Sequence, residues 1–546
     1  MALNRTAFTA RRGFSGLALR AIIRRMDQRW LVGGFVCLLA CSNGGNGKQS
    51  LPPPPPPPPA ASASVLERNH HPSRDGLFLQ PALARAAVSR MAFDTGFAAN
   101  FTGVMYASPL YLENGPAGKG LFFAVTTGND VFALDETTGA VVWNHNIGPS
   151  AQASGAGCGS IHPIGILSTP VIDAEARTIY VAGAIGAAAI DRHEIHALSV
   201  DDGTERAGWP VDVGKLSYGP LKFQPQPENQ RSSLSLVKGI LYVAYGGHVG
   251  DCGPYHGWVI AVDTKDPTRT GAWATAGQGE GIWASGGMAS DGTGVFAVTG
   301  NATGGVPAAH RDSEEVVHLT GLATLDRSTI KHVFYPAIWA AMDAGDQDFG
   351  SSSPVYIEVP GATPPSFVAA VSKNGHLYLL DSKNLGGMNG HVVDYAIPAG
   401  AVSVHAPLAA YTTPLGGVHV VFPTNGGVPC PTAAGAGMVS IGISAGAPPQ
   451  PYLAWCAPIG SRNGAISTTT DGKADVMVWY IDGGRLVARD GDTGELLYQD
   501  AAATCPNIQQ WTSAIAVKGR IIAGATDKLC SWSLHALPPS DAAPSN

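Results

Sequence analysis

The chain is expected to fold as an all-β protein built from repeated four-stranded antiparallel sheets. Three observations predict this. One strand–turn–strand unit recurs, reading DVFALDETTGAVVW from Asp130 to Trp143, with shorter variants starting at His193, Trp258, His376 and Arg485. A short unit repeated along a chain marks a stacked or radial architecture. Ahead of each copy lie β-branched and aromatic runs such as Leu121–Val125, Thr178–Ala182, Ile240–Ala244, Val295–Val298 and Phe367–Val371, which read as strands. Finally, the chain holds 69 glycines and 41 prolines and only 14% charged residues, against about a quarter charged in an average domain. That surplus of turn formers suits many short strands joined by tight connections.

The elements follow in order. Residues 1–40 read as an export signal. Arg24, Arg25 and Arg29 precede an apolar run from Trp30 to Ala40, too short to span a bilayer and of the length of a signal-peptide core. Met1 and Met26 both stand as starts, and Met26 gives the more compact signal. The run ends in Leu38, Leu39, Ala40 and Cys41, which resembles a bacterial lipoprotein cleavage box. That resemblance implies lipidation of Cys41, and Ser42 after it implies sorting to the outer membrane. Residues 41–75 read as a disordered linker. Within it, Pro52–Pro59 are consecutive prolines that form an extended rod of roughly 25 Å. The folded body is expected over residues 76–538, with a disordered tail at 539–546.

In each repeat an Asp opens the turn, where it accepts backbone N–H bonds, and a Gly supplies the positive φ. Trp143 and Trp209 close their units, each as a large ring filling the taper between neighbouring sheets. The Ala-Leu-Asp-x-x-Thr-Gly-x-x-x-Trp pattern resembles the repeat of the quinoprotein-like β-propellers, named for pyrroloquinoline quinone (PQQ). The resemblance covers about residues 93–535. Units counted from Ala107, Ile166, Arg231, Ile282, Phe349, His405 and Gly464 make seven. The tail holds strands at Ser513–Val517, Arg520–Ala525 and Leu529–Leu534, and a strand near Met91–Ala98 is expected to complete them. The prediction is a single eight-bladed β-propeller, seven blades being the alternative, with its ring closed by N- and C-terminal strands so that no open edge remains.

The resemblance also implies an enzyme. Quinoprotein alcohol dehydrogenases hold PQQ and calcium in a central pocket. Gly281, Ile282 and Trp283, with Asn301, resemble their segment carrying a stacking Trp and a calcium-binding Asn. Asp348 sits where they carry a catalytic Asp. Carried over, Trp283 is the ring floor, Asn301 a calcium ligand and Asp348 the base taking the alcohol proton, since a hard cation wants oxygen ligands and the cofactor does the redox work. The sequence departs from that family at several points. It has no adjacent cysteine pair and no Cys-x-x-Cys-His. Cys252 stands where the acidic calcium ligand falls, with Asp251 beside it.

Other signals are weaker. His248, Asp251, Cys252 and His256 share one glycine-rich loop and are candidate ligands for a transition metal; Cys158 and His162 form a second such loop. Cys430 with Cys456 and Cys505 with Cys530 are the preferred disulfides, each within one repeat. Asp201–Asp202 and Glu314–Glu315 read as turn residues. The net charge of −7 and the absence of a basic run in the body argue against a nucleic-acid partner. No phosphate loop or His-Glu-x-x-His occurs.

The leading expectation is a cell-envelope lipoprotein whose propeller binds or scaffolds without catalysis and needs no cofactor, similar to lipid-anchored propellers of outer-membrane assembly. The alternatives are a PQQ- and calcium-dependent dehydrogenase of alcohol or aldose type in the periplasm, and an extracellular propeller recognising a glycan or peptide. The anchor is checked by Cys41→Ser. That variant should be released from the membrane fraction in a flotation gradient, whereas the unaltered chain floats, because two acyl chains at one residue hold where one is marginal.

Overall fold

The computed structural model describes residues 62–398, 405–424 and 437–535. Eight sheets follow one another along the chain and form a ring, an eight-bladed β-propeller. Blade 1 shows the plan, with strands Leu110–Leu112, Leu121–Val125, Asp130–Asp135 and Val141–Asn146 in antiparallel order. All five residues of Leu121–Val125 are buried, while Val141–Asn146 is largely exposed. The cause is position: the second strand has a neighbour on each side and a blade against each face, so it is apolar throughout. Among the described residues, no helix is long and apolar enough to cross a membrane.

Blade 8 closes the ring as the sequence predicts. Ile515–Val517, Arg520–Ala525 and Lys528–Leu534 come from the end of the chain. Met91–Phe93 supplies the outer strand, pairing Met91 with Leu534 and Phe93 with Trp532. Cys505 and Cys530 form a disulfide, tying the approach to this blade onto its third strand.

The repeated Asp and Gly earn their recurrence through two separate contacts. Asp135 Oδ1 accepts from Thr137 N, Thr138 N and the Thr138 hydroxyl, at 2.8–3.0 Å. Asp490 does the same for Asp492 N and Thr493 N, both at 2.9 Å. The glycine is needed for packing as well as for its φ. Trp143 of blade 1 lies on Gly203 of the next blade, where a Cβ would stand 2.6 Å from the ring, and its Nε1 donates to Val200 O at 3.0 Å. Trp455 repeats the arrangement on Gly494, with Nε1 donating to Gly491 O at 2.8 Å. Trp209, in contrast, is only partly buried, beside Tyr180.

The body begins earlier than composition suggests. Residues 65–75, expected in the linker, are packed into the centre of the ring, and with residues 76–80 they reach the innermost strand of every blade. Val65 exchanges two backbone hydrogen bonds with Tyr111 of blade 1. Leu66 O accepts from Ile172 N of blade 2, and Arg74 donates to Ser235 of blade 3. Pro72 O, Ser73 O, Asp75 O and Gly76 O accept from Ser290, Tyr356, Ala410 and Ser467 of blades 4 to 7. Leu77–Leu79 runs parallel to Ile466–Thr469, and Gln80 Nε2 reaches Ala516 O of blade 8. Chemistry compels the early start: inner strands expose unpaired backbone groups toward the axis, and something must meet them. The signal, Cys41, the prolines 52–59, Cys430 and the tail 539–546 lie outside the described residues.

Arg74 anchors this segment. Its guanidinium is buried and makes five hydrogen bonds, to Met288 O, Glu67 Oε2, Arg68 O, Leu234 O and Ser235 Oγ. Removing one partner of a buried ion pair strands the other charge, at a cost of about 3–5 kcal/mol. Arg74→Ala should therefore lower the unfolding free energy by that amount in urea denaturation, whereas Arg90→Ala, on the outside, should change it by less than about 0.5 kcal/mol.

Candidate functional site

A pocket of about 310 Å³ lies on the ring axis. Its position follows from its lining: Ser160, Arg231, Trp283, Ser351, His405, Arg462 and Trp511 each come from a segment leading into a different blade, 2 through 8. The sequence candidates converge here. Trp283, Asn301 and Asp348 all line this pocket, although they come from three separate segments.

Trp283 is held as a floor by glycines. A Cβ on Gly300 would stand 2.1 Å from its ring, on Gly281 2.5 Å and on Gly246 2.8 Å. Its Nε1 donates to Gly247 O at 3.0 Å, and its backbone N donates to Gly350 O at 2.9 Å. The indole is therefore seated on backbone and 8% exposed. Across the pocket, Trp511 carries the Arg231 guanidinium over its ring at 4.8 Å, a cation–π contact. Arg231 Nε donates to Trp283 O at 2.9 Å. Burial pulls the Arg231 pKa down to about 10, with Asp348 and Asp251 opposing the shift.

Asp348 is buried, with Oδ1 accepting from Ser351 N at 3.1 Å. Lys373 Nζ lies 2.6 Å from Asp348 Oδ2 and 2.9 Å from Asp346 Oδ1. Burial raises the Asp348 pKa above the ordinary carboxylate value, with Lys373 opposing it. Burial also works against the Lys373 ammonium, but Asp348 outweighs it and the net shift is upward. The pair is an ion pair in the wall of the pocket. Asn301 stands nearby, its carbonyl accepting from Glu280 N at 2.8 Å.

The weaker metal candidates do not assemble. Cys252 is bonded to Cys158, with their Cα atoms 5.9 Å apart. A disulfide sulfur is no thiolate, so neither cysteine is available as a soft metal ligand. The two glycine-rich loops do meet, joined by that covalent bond and by Gly159 N donating to Val249 O. His256 Nδ1 pairs with Thr275 O at 3.0 Å, and His162 Nδ1 with Gln152 O at 2.8 Å. Asp251 Oδ1 accepts from the Tyr255 hydroxyl at 2.7 Å. Only His248 and Asp251 of that set line the pocket, where burial lowers the His248 pKa to about 4. Among the described residues, no three His, Cys, Asp or Glu side chains are grouped to hold a metal.

Lys373, Arg231 and Trp511 carry no motif in the sequence. Lys373 follows the strand Ser366–Val371, and its backbone N donates to Asp348 O at 3.1 Å. Glu314 lies in a turn, as expected of the pair, and both Glu314 and Glu315 are fully buried. Behind the pocket, Glu314 Oε2 accepts from Phe349 N, and Asp343 Oδ1 accepts from Ala302 N, both at 3.1 Å. The segments bearing Asp348 and Asn301 thus hang on buried carboxyls.

No family model and no curated protein sequence matches the chain. Solved structures do. The quinohemoprotein alcohol dehydrogenase ADHIIG from Pseudomonas putida HK5 superposes with a TM-score of 0.60 at 13% identity, covering 89% of this chain and 82% of that one. The quinohemoprotein alcohol dehydrogenase from Comamonas testosteroni gives 0.57 at 14% identity, over 89% and 83%. A europium-containing methanol dehydrogenase gives 0.55 at 15% identity, over 85% and 90%. At these identities the likeness shows the fold alone: a β-propeller.

The buried carboxyls also set a pH dependence. Burial, and then the nearby Asp312, raise the Glu280 pKa from the ordinary 4.5 to about 8. The folded chain then keeps a proton that the unfolded chain releases, so this group's contribution is full below about 4.5 and is lost as pH rises toward about 8. Glu280→Gln should match the unaltered protein near the acid end of that window. Near its alkaline end the variant should be more stable, by on the order of 1–3 kcal/mol, in denaturation followed across pH.

Proposed function

We propose that this chain is a ligand-binding propeller of the quinoprotein kind, whose axial pocket takes a planar, carboxylate-bearing quinone of the PQQ class. The observation carrying this reading is the convergence of Trp283, Asn301 and Asp348 with Lys373 and Arg231 on one pocket. A scaffold requires neither a glycine-seated indole nor a buried carboxylate–ammonium pair opening into a cavity. The volume, about 310 Å³, suits a small polycyclic ligand.

The donor set fits the quinone. Trp283 offers an aromatic face, and Arg231 and Lys373 offer the cations that planar carboxylates and carbonyls demand. A bound quinone supplies a two-electron acceptor. In that setting Asp348, its pKa raised by burial, is the group placed to take the proton of an alcohol. Calcium fits less well: only Asn301 and Asp348 offer oxygens at the implied positions, and such an ion takes about 6–8. The expected export signal and Cys41 support a location in the bacterial cell envelope, at the outer membrane.

The test is titration of the purified chain with PQQ, followed by tryptophan fluorescence, with dye-coupled turnover of a panel of alcohols alongside. PQQ should quench the emission saturably, and Trp283→Ala should weaken binding by about tenfold or more. Asp348→Asn should keep binding and lose turnover by roughly 10²–10⁴-fold. Absence of saturable quenching would return the chain to the non-catalytic scaffold reading.

A further inference from the structure

We propose that Lys373 takes the place of a metal ion in the axial pocket, so that the quinone-class ligand is bound by a protein ammonium and needs no calcium. This rests on the ligand reading above and goes beyond it in naming what neutralises the ligand.

The argument begins with what a divalent cation would find. A hard ion requires several oxygens converging on one point, usually with more than one carboxylate. Here the position implied for the acidic ligand belongs to Cys252, and its sulfur is locked to Cys158. Asp251 lies beside it, but its Oδ1 accepts from the Tyr255 hydroxyl and its φ of 53° fixes the loop in the left-handed region. That leaves one amide, Asn301, and one buried carboxylate, Asp348.

The carboxylate is already engaged. Lys373 Nζ is 2.6 Å from Asp348 Oδ2 and 2.9 Å from Asp346 Oδ1. A metal binding at Asp348 would face this ammonium at close range, inside a wall where charges are poorly screened. Either the ammonium leaves or the metal stays out. Lys373 has little freedom to leave, because its backbone is hydrogen-bonded to Asp348 O and its side chain is 15% exposed.

The ammonium can do the metal's electrostatic work. It carries three donors, one of them given to Asp346 Oδ1, so donors remain both for the adjacent Asp348 and for an acceptor in the pocket that Lys373 lines. Arg231 adds a second cation from the Trp511 side, with Nε fixed on Trp283 O and its terminal nitrogens without a protein partner among the described residues. Two cations at two points of the wall match a flat molecule with acidic groups on its rim.

The experiment compares PQQ binding to the full chain in excess EGTA and in excess Ca²⁺, read by tryptophan quenching and by calorimetry. Equal affinity within about twofold in the two buffers is the expected result. Lys373→Met should weaken binding on the order of a hundredfold in EGTA, and Lys373→Arg should recover most of it. Binding that vanishes in EGTA and returns with Ca²⁺ would overturn the inference and leave the ligand reading standing. Saturable binding in neither buffer would overturn both. The chelator comparison uses the unaltered protein, so it decides the matter even where Lys373→Met fails to fold.

Discussion

Eight sheets arranged about an axis share one difficulty: the innermost strand of each has a row of backbone donors and acceptors with no strand beyond it. In this protein the answer is the segment from Val65 to Gln80, which makes at least one hydrogen bond with every blade. Neighbouring blades meet through contacts such as Trp143 on Gly203. The segment touches all eight. Buried charge fixes it there, because Arg74 is satisfied only when Glu67, Met288, Leu234 and Ser235 hold their positions together. Arg68 extends the same logic, donating to Thr169 and to the carbonyl of Trp511, whose ring forms part of the pocket.

The pocket therefore rests on two polar supports of different kinds. Below Trp511 are the buried guanidinium groups of Arg68 and Arg74, held by carbonyls, hydroxyls and the Glu67 carboxylate. Behind Asn301 and Asp348 are buried carboxyls, among them Glu280 and Glu315, whose pKa values burial raises to about 8. That rise lessens the negative charge placed beside the Asp348–Lys373 pair. Arg327 offsets part of what remains through Glu315 and Asp312. The pocket wall itself carries the carboxylates of Asp251, Asp346 and Asp348 and the cations of Arg231, Lys373 and Arg462, with Lys373 paired to Asp346 and Asp348.

What the residues announce in advance is whatever repeats locally. Asp135 and Gly139 belong to a turn that each blade needs, so the fold was legible down to the closing strand at Met91–Phe93. Trp283, Asn301 and Asp348 were legible because they sit in segments resembling a known set. Lys373, Arg231 and Trp511 were not, because each acts through a contact across a distance of sequence that no spacing rule spans. Cys158 and Cys252 misled for the same reason: 94 residues separate them, and each looked like part of its own loop. The segment 65–75 has no periodicity and follows the prolines, so composition assigned it to the linker. Its hydrogen bonds are irregular because it crosses the strands instead of joining a sheet.

The crossing of the inner ring also has a consequence in time. Synthesis makes the segment first, yet Arg68 must wait for Trp511, 443 residues later, and Gln80 for Ala516, 436 later. Contacts so distant in sequence slow folding, since the intervening chain must be organised before they form. A nascent chain of this protein cannot complete its centre until almost its last strand has emerged. Any chain cut short before blade 8 lacks both the partner of Gln80 and the strands that Met91–Phe93 closes, so the beginning of the body is held only when the end has been made.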